Sequence, residues 1–226
     1  MNRLAISALL LTGLVAGCAS SVKMAPPTIP VPLVNKIPLS IGLRLPADFD
    51  NFVHKESFYG REEWAIDLGG SNAALFQQLL AHMFESVSVV SEDDDPRLMG
   101  LDALIEPSID AFEFSTPTQS KTEAFAVWIR YRLKVYDREG TLISNWPVSA
   151  YGKSQTTTMN KDEALKRAAV LAMRDAAALM IMKFDKVTRI SELADEAPVA
   201  SPAGPPGTVT DDEEAATPEE EQDETT

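Results

Sequence analysis

The stretch FAVWIRYRLKVYDREGTLISNWPVSA, residues 125–150, decides the fold. Its first half alternates Phe125, Val127, Ile129, Tyr131, Leu133 and Val135 with smaller or charged residues. Successive side chains of a strand point to opposite faces, so this pattern predicts a strand with one face buried. Asp137, Arg138, Glu139 and Gly140 supply a turn. Beyond it Leu142, Trp146, Val148 and Ala150 repeat at the same spacing. Closing around the turn sets Val135 opposite Leu142, Tyr131 opposite Trp146 and Ile129 opposite Val148; the apolar faces match and a hairpin is expected. Upstream, Leu101, Ala103, Ile105 and Ile109 alternate likewise, and Thr116–Ser120 offers a second turn. The expectation is a three-stranded antiparallel meander.

The flanking elements follow from the same reasoning. Leu39, Ile41, Leu43 and Leu45 alternate as a strand within 37–45, and a second extended piece lies around 62–68. Phe76, Leu79, Leu80, Met83, Phe84 and Val87 recur three and four apart, the spacing of one helix face, with Ser71 as the expected N-cap after Gly69 and Gly70. Val87 to Val90 reads as a short strand ended by the loop from Glu92 to Pro96. A helix from Lys161 to Lys186 starts with Asn160 and Glu163 in capping-box spacing. It buries Leu165, Ala169, Ala172, Ala176, Leu179, Met180 and Phe184, and so many alanines predict close packing on a sheet. The fold class is α+β: an antiparallel or mixed sheet with a three-stranded meander and two helices packed on one face.

At the N-terminus, Arg3 precedes the apolar run Leu4 to Leu11, and Leu14, Val15, Ala16 and Gly17 lead into Cys18, the chain's one cysteine. A charged start, a short hydrophobic core and small residues before a cysteine mark a secretory signal peptide over residues 1–17. A membrane-spanning helix needs roughly 20 apolar residues to cross about 30 Å of hydrocarbon, more than Leu4 to Val15 provides. The stretch resembles the lipobox of bacterial lipoproteins, which implies cleavage before Cys18 and acylation of its thiol. Ala19, in place of an aspartate at the sorting position, favours the outer membrane facing the periplasm. A plain secretory signal with Cys18 incidental is the alternative.

Residues 18–36, with Pro26, Pro27, Pro30 and Pro32, read as a proline-rich tether behind the acylated cysteine. Residues 37–190 hold nearly all the large apolar side chains and form one domain. From Glu192 onward there are twelve acids and no Lys or Arg, so residues 191–226 read as a disordered acidic tail. Taking these twelve from the chain's 34 acids leaves 22 against 20 Lys and Arg, so the formal charge of -14 belongs to the tail. A nearly balanced domain gives no reason to expect nucleic acid as a partner. The tail is a solubilising extension or docks on a basic surface.

Together, the lipobox, the proline-rich segment, this element order, the turn Tyr136 to Gly140 and the closing Ala-rich helix resemble small outer-membrane lipoproteins of the YajG-like type. They are similar, more distantly, to the lipopolysaccharide-assembly lipoprotein and to auxiliary lipoproteins of ABC-type lipid transporters. The resemblance spans residues 1–190 and implies a non-enzymatic envelope protein. It carries over no active site.

The residues themselves offer little catalytic chemistry. His54 and His82 with one cysteine cannot build a zinc set of the usual spacing, and neither a nucleophile elbow nor a phosphate-binding loop is present. No cofactor is expected. Glu92, Asp93, Asp94 and Asp95 lack the alternating ligands of a calcium loop and read as a solvated turn. Gly69–Ser71 at a helix start is either an anion-binding turn or a helix entry. Met173, Met180 and Met182 read as core filling rather than an adaptable binding stripe.

One constellation carries a binding hypothesis. The face of the central strand opposite the apolar one bears Trp128, Arg130, Arg132 and Lys134. With a turn near Thr118, Asp102 falls opposite Lys134 and Glu106 opposite Arg130. These residues form a solvated, charge-paired sheet face, or they meet a partner protein or lipid phosphates. Three functional classes follow: a non-enzymatic binding or assembly accessory of an envelope protein or complex, anchored to the membrane by lipid; a lipid-handling accessory of lipopolysaccharide or phospholipid transport; and, disfavoured by the absent motifs, a hydrolase with a polar pocket and a perturbed acid or base.

Overall fold

Two long strands, β7 (Ala124–Asp137) and β8 (Leu142–Gln155), pair antiparallel around the expected turn, and β6 (Ala103–Ser115) pairs antiparallel with β7 on the other side. The computed structural model describes residues 18–58, 62–156 and 160–193, so the signal segment 1–17 and nearly all of the acidic tail lie outside the described residues. The other elements are β1 (Cys18–Lys23), β2 (Ile37–Arg44), α1 (Ala47–Asp50), β3 (Val53–Phe58), β4 (Glu62–Asp67), α2 (Gly69–Met83), β5 (Phe84–Val90), α3 (Pro117–Ser120) and α4 (Lys161–Thr188). The fold is α+β. A mixed five-stranded sheet has the order β5-β2-β6-β7-β8, and a separate three-stranded sheet has the order β1-β4-β3.

The apolar phase of β7 is as its alternation requires: Phe125, Val127, Ile129, Tyr131, Leu133 and Val135 are all buried. The register differs from the simple reading. Tyr131 lies opposite Val148, Leu133 opposite Trp146 and Ile129 opposite Ala150, with an irregularity beside Val135 and Tyr136. The turn closes from Asp137 to Thr141, and an additional residue, Ile143, shifts the rest of β8 by one position. Pairing moves by two residues relative to expectation from Ser144 onward, so Trp146, Val148 and Ala150 keep their face, whereas Leu142, expected on the apolar face, falls opposite Tyr136 on the other side of the bulge and is exposed. Similarly, β6 does not end near Ile109 but continues through Phe112 and Phe114 past a bulge at Asp110. The turn that follows is α3, whose start is a reciprocal capping box between Thr116 and Gln119.

The helices meet the buried face of the meander through specific contacts. Tyr131 donates a 2.8 Å hydrogen bond to Asn72 of α2, and Trp146 of β8 packs edge-on against Phe184 of α4. Gly152 of β8 allows the closest approach: a Cβ there would overlap the Ala168 carbonyl oxygen and the Ala172 amide nitrogen of α4. The alanines of α4 and the missing side chain at Gly152 therefore serve one contact. Asn160 caps α4 by accepting from the Glu163 amide.

Three local expectations are corrected. Ser71 does not cap α2: the helix starts two residues earlier, where Gly69 is required because a Cβ would overlap the Asp50 carbonyl oxygen, and Ser71 is buried in the first turn. Phe84 and Val87 belong to β5, since α2 ends at Met83 and the chain passes directly into the strand. Met173 and Met180 fill the core, whereas Met182 is exposed.

The segment expected as a tether also differs. Cys18–Lys23 form β1, parallel to β4, and Val22, Met24 and Ile29 are buried. Main-chain pairing to β4 and three buried apolar side chains hold the segment against the domain. The small sheet packs its aromatic side chains on the buried face of β6 and β7, with Trp64 against both Phe114 and Phe125.

Candidate functional site

The open face of the meander gathers the four singled-out residues. Opposite Trp128, Arg130, Arg132 and Lys134, β8 places Tyr151, Ser149, Pro147 and Asn145, and β6 places Glu113, Ala111, Ser108 and Glu106. Pro147 shares the phase of Tyr151, whose amide reaches out to Asp175 of α4 and not to β7. The missing N–H of Pro147 thus faces the sheet edge, where a ladder does not need it.

The expected charge pairs are replaced by others. Glu106 faces Lys134 at 3.3 Å, not Arg130, and Asp102 pairs with Arg138 at 2.7 Å, not with Lys134. The cause is the length of β6, which moves the turn and slides the register by four residues while conserving the face. Asp110, turned out by the bulge, takes Arg132 in a forked contact with hydrogen bonds of 2.6 to 2.9 Å. Hydrogen bonding from the Arg132 guanidinium holds the Asp110 carboxyl below the usual carboxylate range.

Arg130 stands apart. Among the described residues no carboxylate lies within ion-pair distance of it, and its side chain makes one hydrogen bond, from Nε to the Ser149 hydroxyl at 3.3 Å. Beside it Trp128 and Tyr151 are 44% and 43% exposed and pack ring to ring at 5.1 Å. Trp128, Arg130, Ser149, Glu113 and Ala111 line a shallow depression of about 220 Å³. A guanidinium without a direct ion pair among the described residues, next to an exposed aromatic pair, can accept an anion and an apolar group together.

At the other end of the same face the loop after β5 folds over the sheet. Val90, Leu101 and Leu104 with Tyr136 form a small second core there. The acidic residues of this loop are used locally: Asp95 accepts from the Arg97 amide and guanidinium, Asp94 caps the Ser91 amide, and Glu92 accepts from the Ala47 amide. A second cavity of about 380 Å³ lies between this loop and the turn, lined in part by Arg44, Arg97, Tyr136 and Arg138. Sequence reading missed Arg44, whose Nε is buried without a partner, and Tyr151. Both continue an alternation in the outward phase, the one signal available for them.

His54 lies against Phe112 and within 3.1 Å of Glu56. Among the described residues no group of three His, Cys, Asp or Glu side chains is placed to hold a metal ion, and no helix is long and apolar enough to cross a membrane.

No protein-family model matches this chain, and no curated protein sequence does. Among solved structures, the chain is similar to a minor lipoprotein of Acinetobacter baumannii at 14% identity and a TM-score of 0.41, over 74% of this chain and 100% of the other. It is similar to uncharacterized lipoprotein B of Nitrosomonas europaea at 10% identity and a TM-score of 0.42, over 75% of this chain and 97% of the other. A lipoprotein of Neisseria meningitidis has 14% identity and a TM-score of 0.29, over 65% and 99%.

Proposed function

We propose that this chain is a lipoprotein acylated at Cys18, held in the outer membrane facing the periplasm, that binds an envelope protein without catalysing a reaction. In this reading both long helices back one face of the meander and leave the other open, and Trp128, Tyr151 and Arg130 make the contact. The observation that carries it is the contrast on that face: Arg132 and Lys134 form ion pairs with Asp110 and Glu106, whereas among the described residues Arg130 forms none and sits beside two exposed aromatic rings. Aromatic and arginine side chains dominate binding energy at protein interfaces, and paired surface charges contribute little.

Two measurements test the reading. Cys18→Ser should move the protein from the membrane fraction to the soluble periplasmic fraction without changing its circular dichroism; retention in the membrane would refute lipid anchoring. Crosslinking in intact cells should capture a protein partner with the unmodified chain and lose it with Trp128→Ala or Arg130→Ser. Capture that is unchanged in both variants refutes this face as the interface. Co-purification of phospholipid or lipopolysaccharide that the same variants abolish would favour the lipid-handling alternative instead.

A further inference from the structure

We infer that the anchored molecule sits directly on the bilayer, with the end of the fold carrying Cys18 and the β6–β7 connection against the head groups and the Asp137–Gly140 turn pointing away. This rests on the lipoprotein reading above and adds an orientation to it.

The reason is the absence of slack at the anchor. β1 starts at Cys18 itself, whose backbone is paired with Glu62 of β4. The following residues remain fastened: Met24 donates its amide to the Asp67 carbonyl at 2.9 Å, and Arg174 of α4 donates two hydrogen bonds to the Thr28 carbonyl, at 3.1 and 2.9 Å. An acyl chain on Cys18 therefore hangs from a residue already built into a sheet, not from a free tether. The domain cannot move far from the membrane without breaking β1 from β4.

Register identifies which end faces the lipid. Ser20 lies opposite Trp64, whose ring is 5.7 Å from Phe114 and 6.0 Å from Phe125. Phe58, opposite Glu62, is 5.2 Å from Phe114. Phe114 and Phe125 flank the connection that contains α3, so Cys18, about 7 Å of strand before Ser20, shares an end with that connection. Its exposed residues are polar: Lys121, Thr122 and Glu123. Among the described residues of this connection the exposed side chains are polar, which fits the head-group layer, not the hydrocarbon. The turn at the other end of β7 is about 40 Å away along the strand. Trp128 is about 10 Å along the strand from Phe125, so the proposed binding face works close to the membrane surface.

The test uses the full acylated chain, purified from membranes and reconstituted into phosphatidylethanolamine and phosphatidylglycerol vesicles that contain a head-group spin-labelled lipid. Lipid blocks Cys18, so a fluorophore can be placed selectively through Lys121→Cys or Glu139→Cys. The label at Lys121 should be quenched several-fold more strongly than the label at Glu139. A flexible Gly/Ser segment of about a dozen residues inserted after Cys18 should erase most of that difference by restoring slack. Mass spectrometry of the N-terminal peptide separates the two levels. An unacylated peptide overturns the anchor and the orientation with it. An acylated protein quenched equally at both positions, or more at Glu139, overturns the orientation alone.

Discussion

Tyr131 shows how much one side chain can bring together. It is fully buried in the middle of β7, packs at 5.5 Å against Phe76 of α2, and donates its hydroxyl to Asn72 of the same helix. Burial pushes the phenol above its ordinary value. The sign of the pH effect follows. Below about pH 10 both folded and unfolded chains carry the proton and stability is unaffected; above it the unfolded chain releases the proton more readily than the folded one, so stability falls as pH rises. Tyr131→Phe should cost about 1–3 kcal/mol at neutral pH by leaving the Asn72 carbonyl unsatisfied, and should also flatten the alkaline decline. Urea denaturation of both proteins from pH 7 to 11 checks this, and parallel alkaline curves would show that Tyr131 is not the group responsible.

At the scale of elements, the closest contact between sheet and helix is that of β8 with α4 at Gly152. Any side chain there meets main-chain atoms of α4, which cannot swing aside as a flexible side chain would. Gly152→Ala should therefore destabilise the fold by about 1–3 kcal/mol, whereas Gly140→Ala, in the open turn, should act only through its positive φ of 84°. Equal denaturation midpoints for wild type and Gly152→Ala would refute the close approach. The alanines of α4 announced that contact from the sequence, although its partner glycine could not be picked out. The faces of β6, β7 and β8 were likewise legible, because period-two alternation survives any shift by an even number of residues. Register was not legible, since the bulge at Asp110 and the additional Ile143 leave no mark in an alternation pattern. That is why the charged face of β7 was found in advance while the isolation of Arg130, which depends on which carboxylate falls opposite, was not. The three-stranded sheet was missed for a different reason. CASSVK and VHKESF carry too few apolar residues to alternate, and both strands are recruited by main-chain pairing to β4.

For the whole molecule, the N-terminal strand decides whether the chain is a domain on a leash or a domain fixed by its first residue. Val22 is the side chain that seats β1: it is 1% exposed and lies opposite Ile66. Val22→Asp would bury a carboxylate without a partner, a cost that β1 escapes by leaving the sheet. β1 is an edge strand of the small sheet, and Val22 joins from that edge the continuous core that also holds Tyr131, Phe76 and Phe184, whose contacts within the meander, α2 and α4 do not pass through β1. Local release is therefore expected in place of global unfolding. Hydrogen exchange should show faster amide exchange in residues 18–29 and along β4, with protection in β6, β7 and β8 retained. In the reconstituted lipoprotein the same substitution should reduce the difference in quenching between positions 121 and 139, because about a dozen residues of released chain restore the reach that β1 removes. Exchange that accelerates uniformly through the meander would mean instead that β1 belongs to the single cooperative core, and that the anchor and the fold cannot be uncoupled.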